Sequence, residues 1–201
     1  KRVKWEQYSE PHKYRGGIFP DTSESLRPFA DLYANSLQNV DALGLFLLRG
    51  LHRVINRWGH ENLKMYSGMR FLAPDPIHGL SNHWFSELSG SRLLVVSPFV
   101  HTIECQLTRL STVWPEINPP TDVSVLGLHL NPGVATPWFK SWQETFAYLV
   151  DEVTRRDFDV ALIGAGGYSL PLAARVRELG KVAIHTGGGT QLFFGIRGGR
   201  W

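Results

Sequence analysis

The spacing of apolar residues along the chain changes several times, and each change marks an element. Residues 1–20 mix polar and aromatic side chains around Gly16-Gly17 and Pro20, and read as a loop or arm. Asp21-Thr-Ser-Glu24 reads as a capping box, an acceptor side chain followed three residues on by a glutamate. Leu26, Phe29, Tyr33 and Leu37 then fall on one helical face. Val40 to Leu48 is too densely apolar for a half-exposed strand and suits a buried parallel one, and Leu51 to Trp58 predicts a helix ended by Gly59. Between Glu61 and Gly90 the periodicity weakens around Gly68, Pro74, Pro76 and Gly79, with a short strand expected near Met69 to Leu72.

The second half is clearer. Ser91 to Ser97 predicts a strand, and Ile103, Leu107 and Leu110 give the following helix its buried stripe. Asp122 to Leu128 predicts another strand. The longest helix is expected from about Pro137, with Phe139, Trp142, Phe146, Leu149 and Val153 on its buried face and Arg155-Arg156 complementing its C-terminal dipole. Phe158 to Ile163 and Val182 to His185 are strands flanking a helix from Ser169 to Leu179, closed by Gly180. Strand, helix and strand in about thirty residues make a βαβ unit with a right-handed crossover. Alternation from Val40 to His185 predicts an α/β class: a mainly parallel, Rossmann-like sheet with helices on both faces, in a single domain.

Composition narrows the function classes. Of 201 residues, 43% are hydrophobic and 19% charged, which suits a globular chain and not a disordered one. No apolar run approaches the ~20 residues of a membrane span, and the first twenty residues lack the apolar stretch of a secretory signal. The chain starts at Lys1 rather than at a methionine, and further residues are expected ahead of it. A single cysteine, Cys105, excludes an internal disulfide and is expected to be a buried thiol in a reducing compartment. The net charge of +3 is too small to argue for nucleic acid but suits anionic small molecules.

Candidate chemistry gathers where predicted strands end, because ligands of open parallel sheets bind beyond those ends. After Ile163 comes Gly164-Ala-Gly-Gly-Tyr-Ser169, in which Gly164, Gly166, Gly167 and Tyr168 read either as a tight turn or as a cradle for an anion or sugar. The run lacks the third glycine and the later acidic residue of a nicotinamide-binding fingerprint, so a dehydrogenase is rejected. After Ile184, the segment His185-Thr-Gly187-Gly188-Gly189-Thr-Gln191 leads to Arg197 and Arg200, whose guanidinium groups can grip a phosphate. His185 is a candidate general base or a hydrogen-bonded structural residue. Glu104, early in the helix after Ser97, can hold a ribose hydroxyl, accept a proton or satisfy the helix dipole. Trp142 is assigned to the core; Trp58, Trp84 and Trp114 stand near breakers, where a ring can stack on a sugar or base. The eight histidines form no zinc-binding spacing, and neither a nucleophile elbow nor a P-loop occurs.

Three blocks carry a resemblance. They are Gly17-Ile-Phe-Pro20 with Phe29, Tyr33 and Val40-Asp-Ala-Leu-Gly44; Leu94-Val-Val-Ser-Pro-Phe99 with Thr102-Ile-Glu104 and Gln106; and Phe158 to Tyr168, Pro171 to Ala174, and Ala183 through Trp201. From about Gly16 onward the chain resembles bacterial polysaccharide-biosynthesis proteins whose organisation is similar to glycosyltransferases of the GT-D fold. The resemblance implies residues 1–20 as an arm or the remnant of a missing segment, and 21–201 as one GT-D-like domain. It also implies a nucleotide-diphosphate sugar as donor, a divalent ion (manganese or magnesium), and a glycan, lipid-linked or protein acceptor. The site is expected in the cytoplasm, including the inner face of the membrane. Residues 1–20 depart from the pattern, having no counterpart of the acidic Arg-Phe-Gly-Asp-Gly-Glu run of such transferases. The alternative expectation is a non-catalytic module that binds a nucleotide or an anionic glycan.

Overall fold

Four short runs of Val, Leu, Ala and Ile become one four-stranded parallel sheet. The computed structural model describes residues 16–20, 22–45, 51–67, 73–74, 79–81, 83–128 and 138–197. Helix α1 (Ser23–Ser36) leads to strand β1 (Ala42–Leu45), helix α2 (Leu51–Trp58) and strand β2 (Lys64–Ser67). A 3₁₀ turn at Trp84–Leu88 precedes β3 (Leu93–Ser97), then α3 (Val100–Leu107), α4 (Leu110–Val113) and β4 (Val123–Gly127). Helix α5 (Trp142–Thr154), β5 (Val160–Ile163), α6 (Ser169–Glu178), β6 (Val182–His185) and α7 (Thr190–Phe193) complete the order.

The main sheet runs β4-β3-β5-β6, all parallel. Strand side chains alternate between its faces. Leu94, Val96, Ala161 and Ile163 face α1, α5 and α6, whereas Leu93, Val95, Val160 and Leu162 face α3, α4 and α7. Leu94, Val95, Val96, Ala161, Leu162 and Ile163 are wholly shielded from water, so each larger one contributes ~1.5–3 kcal/mol of transfer free energy. The α/β class and the covered faces thus follow the apolar runs read from the sequence.

Several local expectations are corrected. A continuation of the sheet back to Val40 is replaced by a separate two-stranded parallel sheet, β1 with β2. β1 is half-exposed, with Ala42 and Leu45 at the surface, and Asp41 just before it pairs with Arg177 of α6. Asp41 and Gly44 interrupt its apolar run, and Phe46 to Leu48, the rest of the stretch expected as a buried strand, lie outside the described residues. The strand expected at Met69 to Leu72 falls outside the described residues; β2 lies just before it. At α1 the N-cap is Thr22, whose hydroxyl accepts the Ser25 N–H at 3.3 Å; Asp21 lies outside the described residues.

The helix expected from Pro137, itself outside the described residues, starts at Trp142. Ser141 caps it by accepting the Glu144 N–H, while Glu144 reaches back to accept the Lys140 N–H at 2.7 Å. This reciprocal cap fixes the start and leaves Phe139 ahead of the helix. With 13 residues α5 is also shorter than α1, which has 14. The helix expected to run through Leu110 divides into α3 and α4. Cys105 lies on the outer side of α3 and is exposed, not buried. Gly180 does end α6, with φ 76° and with the Gly180 and Lys181 N–H groups returning to Arg177 and Val176 carbonyls.

Candidate functional site

Connections that leave adjacent parallel strands in opposite directions open a crevice at the carboxyl edge of a sheet. Here β3 connects outward to β4 and its neighbour β5 connects the other way to β6, so the divergence lies between β3 and β5. Val96, Ile163 and His185 stand in one row across β3, β5 and β6 at that edge.

The segments after β5 and β6 are built alike and lie side by side. Gly164 donates its N–H to the Val96 carbonyl at 2.8 Å, and Ala165 donates to Ser169 Oγ at 2.8 Å. Gly166, with φ 57°, opens a 3₁₀ turn over Gly166–Tyr168 that runs into α6. After β6, Thr186 donates to the Ile163 carbonyl at 3.2 Å, and Gly187, with φ 54°, opens a second 3₁₀ turn over Gly187–Gly189 into α7. The two turns touch at Gly164. A Cβ there would lie 2.5 Å from Thr190 Oγ1 and 2.8 Å from the Gly187 carbonyl oxygen. The hydroxyls of Thr186 and Thr190, both buried, bond to each other at 2.6 Å behind the contact.

Residues 16–19 cover the first turn. Ile18 and Phe19 are buried, and a Cβ on Gly167 would lie 2.9 Å from Ile18 Cδ1. The Tyr168 hydroxyl donates to the Gly17 carbonyl at 2.8 Å, and the Trp142 N–H donates to the Phe19 carbonyl at 2.7 Å. The arm read from the sequence is therefore built into the fold where the described chain begins.

This geometry redistributes the predicted ligand contacts. Gly164 and Gly167 serve close approach of protein to protein. Tyr168 is buried with its hydroxyl engaged, and burial raises its pKa; its side chain is a strut rather than a ligand contact. Gln191 is likewise buried and donates through Nε2 to the Ile196 carbonyl at 3.2 Å. Gly166, Gly187 and Gly188 retain some solvent exposure, whereas Gly189 is buried. Arg197 is exposed just beyond α7, and Arg200 lies outside the described residues.

Burial holds the His185 ring neutral, with its pKa pushed down to about 4. Glu104 stands exposed in the second turn of α3. β5 separates the strands that precede these two groups, a gap of roughly 10 Å across two strand spacings. Two of the loop tryptophans are structural. Trp84 packs 5.1 Å from the Phe193 ring, and Trp114 donates through Nε1 to the Phe193 carbonyl at 2.8 Å. Trp58 carries the Arg57 guanidinium 4.9 Å above its ring.

A second feature was missed in the sequence. A cleft of about 710 Å³ opens at the carboxyl ends of β3 and β4, between the start of α3 and α5. Phe99, Trp138, Phe139 and Tyr148 line it together with His101 and Thr102. Phe139 and Tyr148 pack with ring centroids 5.3 Å apart at 44°. The available signal was Trp138-Phe139 just ahead of a capped helix, which helical periodicity absorbs as core.

Among the described residues no group of three or more His, Cys, Asp or Glu side chains is placed to hold a metal ion. The residues described do not supply the divalent-ion site that the resemblance implies. Also among the described residues, no helix is long and apolar enough to cross a membrane. Comparison with protein-family models, curated proteins and solved structures gives no significant match.

Proposed function

We propose that the chain is a glycosyltransferase, or the larger part of one, that takes a nucleotide-diphosphate sugar at the carboxyl edge of its main sheet. One observation carries the reading: Ile163 and His185 are register partners, so the two glycine turns lie together beside the β3–β5 divergence. That is where open parallel sheets receive ligands. The sequence resemblance supplies the reaction class.

In glycosyl transfer an acceptor hydroxyl attacks the anomeric carbon, and negative charge builds on the departing diphosphate oxygen. Main-chain N–H groups of Gly166, Gly187 and Gly188, which keep some solvent exposure, are the candidates for that charge, with Arg197 as the cation. Preorganised donors of this kind cost no reorganisation when the charge appears. His185, neutral at physiological pH, offers a ring nitrogen to orient a hydroxyl. A pKa of about 4 makes it a weak base, so His185 is suited to orienting the hydroxyl rather than taking its proton, with Glu104 and water as the other candidate acceptors.

Thermal unfolding in the presence of ADP, GDP, UDP or CDP, each with and without manganese, tests the reading. At ligand concentrations a hundred times Kd, stabilisation of about 3 kcal/mol is expected from at least one of them, or several degrees in Tm. No shift from any of the four overturns the assignment. A shift without sugar release from the matching donor favours the non-catalytic binding module instead.

A further inference from the structure

We propose that the aromatic cleft between α3, β4 and α5 is a saccharide site that takes the sugar ring of the acceptor. Among the described residues four Phe, Tyr and Trp side chains are exposed: Tyr66, Phe99, Trp138 and Tyr148. Three of them line this one cleft, with Trp138 at 68%, Phe99 at 42% and Tyr148 at 40% exposure. Chance would scatter them; a concentration of exposed rings in one concavity marks a binding surface. Its volume of about 710 Å³ lies inside the ~300–1,000 Å³ typical of small-molecule sites.

The polar groups of the cleft select the ligand class. A pyranose has an apolar C–H face, which stacks on an aromatic ring, and a rim of hydroxyls that need hydrogen bonds. Here the same lining carries the Thr102 hydroxyl and the His101 imidazole, and Tyr148 adds its phenol oxygen. An acyl chain in the same place would strip water from those groups without replacing its hydrogen bonds, a cost a sugar avoids. A phosphate would want an unpaired cation. The one guanidinium lining the cleft, that of Arg156, is held by Glu152 at 3.2 Å.

Position supplies the role. The cleft opens at the carboxyl ends of β3 and β4, the same sheet edge that carries the glycine turns of β5 and β6. Donor and acceptor sites at one edge are what transfer between two bound sugars requires. The acceptor role rests on the glycosyl-transfer reading above, whereas the saccharide class rests on the cleft alone.

The experiment uses the full chain and a panel of neutral probes: the methyl glycosides of glucose, galactose, mannose and N-acetylglucosamine, with maltose. Saturation-transfer NMR is expected to show ring C–H contacts for at least one, with affinity measured by calorimetry. Trp138→Ala and Tyr148→Ala should each weaken that affinity about tenfold or more, while Met65→Ala, exposed on the other sheet, leaves it unchanged. Saccharide binding that survives Trp138→Ala overturns the inference, as does silence from the whole panel or one-for-one displacement by a nucleoside diphosphate. Nucleotide shifts without saccharide binding would sink the cleft and spare the donor site. Saccharide binding without any nucleotide shift would spare the cleft and sink the transfer reading.

Discussion

Gly164 is the residue on which the candidate site closes, and its role is steric. Two turns can touch there because no side chain stands between the first turn and Thr190, and one of the atoms that a Cβ would meet is a main-chain oxygen that cannot swing aside. Gly164→Ala should therefore destabilise the protein by about 2–3 kcal/mol, the cost of forced overpacking. For a chain of this length that is a fall in Tm of ~6 °C, readable by calorimetry or circular dichroism. An unchanged Tm would mean that the turns part freely. A run such as Gly164-Ala-Gly-Gly tells a reader of sequence that a backbone comes close to something. It does not tell whether that something is a ligand or Thr190, because both demand the same missing Cβ. Tyr168 and Gln191 were opaque for the same reason. A polar side chain beside a glycine turn looks like a ligand contact until its partner is placed, Gly17 across the fold for Tyr168 and the nearby Ile196 carbonyl for Gln191.

At the scale of elements, β3 and β5 are fastened at their amino ends as well as through their ladder. Arg92, just before β3, donates to both carboxylate oxygens of Asp159, just before β5, and its guanidinium also pairs with Asp157. The guanidinium holds the Asp159 carboxyl down at about 2, against an ordinary 3.8. Since the folded form binds its proton more weakly than the unfolded form, the stabilisation is complete above the ordinary value. It is lost as pH falls towards 2. In urea titrations at successive pH values, Arg92→Gln should lower the midpoint most above about pH 4, with the difference from the parent vanishing near pH 2. A difference independent of pH would remove Asp159 from the account. The strands themselves were legible because each of the four is a short, mainly apolar run, and the central β3 and β5 are buried along their whole length. β1 was misread because density alone does not say which sheet a strand joins. The start of α5 was misread because periodicity extends through Phe139, whereas the cap at Ser141 decides where the helix begins.

Across the whole molecule, the described chain begins by packing against its distant C-terminal half. Ile18 is fully buried in the core that α1, α5 and α6 build on one face of the sheet, so the described end of the segment read as an arm, at Ile18 and Phe19, packs as core. Ile18→Ala should cost about 3 kcal/mol, read as a lower denaturant midpoint with an unchanged slope. A near-neutral effect would return the segment to the status of a loose arm. The same packing has a consequence for biosynthesis. Tyr168 follows Gly17 by 151 residues, so at ~5–20 residues per second the ribosome takes roughly 8–30 s to deliver the partner after the arm is made. Through that interval Ile18 and Phe19 have no finished core to enter, and the nascent chain carries an unsheltered apolar segment that is a natural foothold for a chaperone.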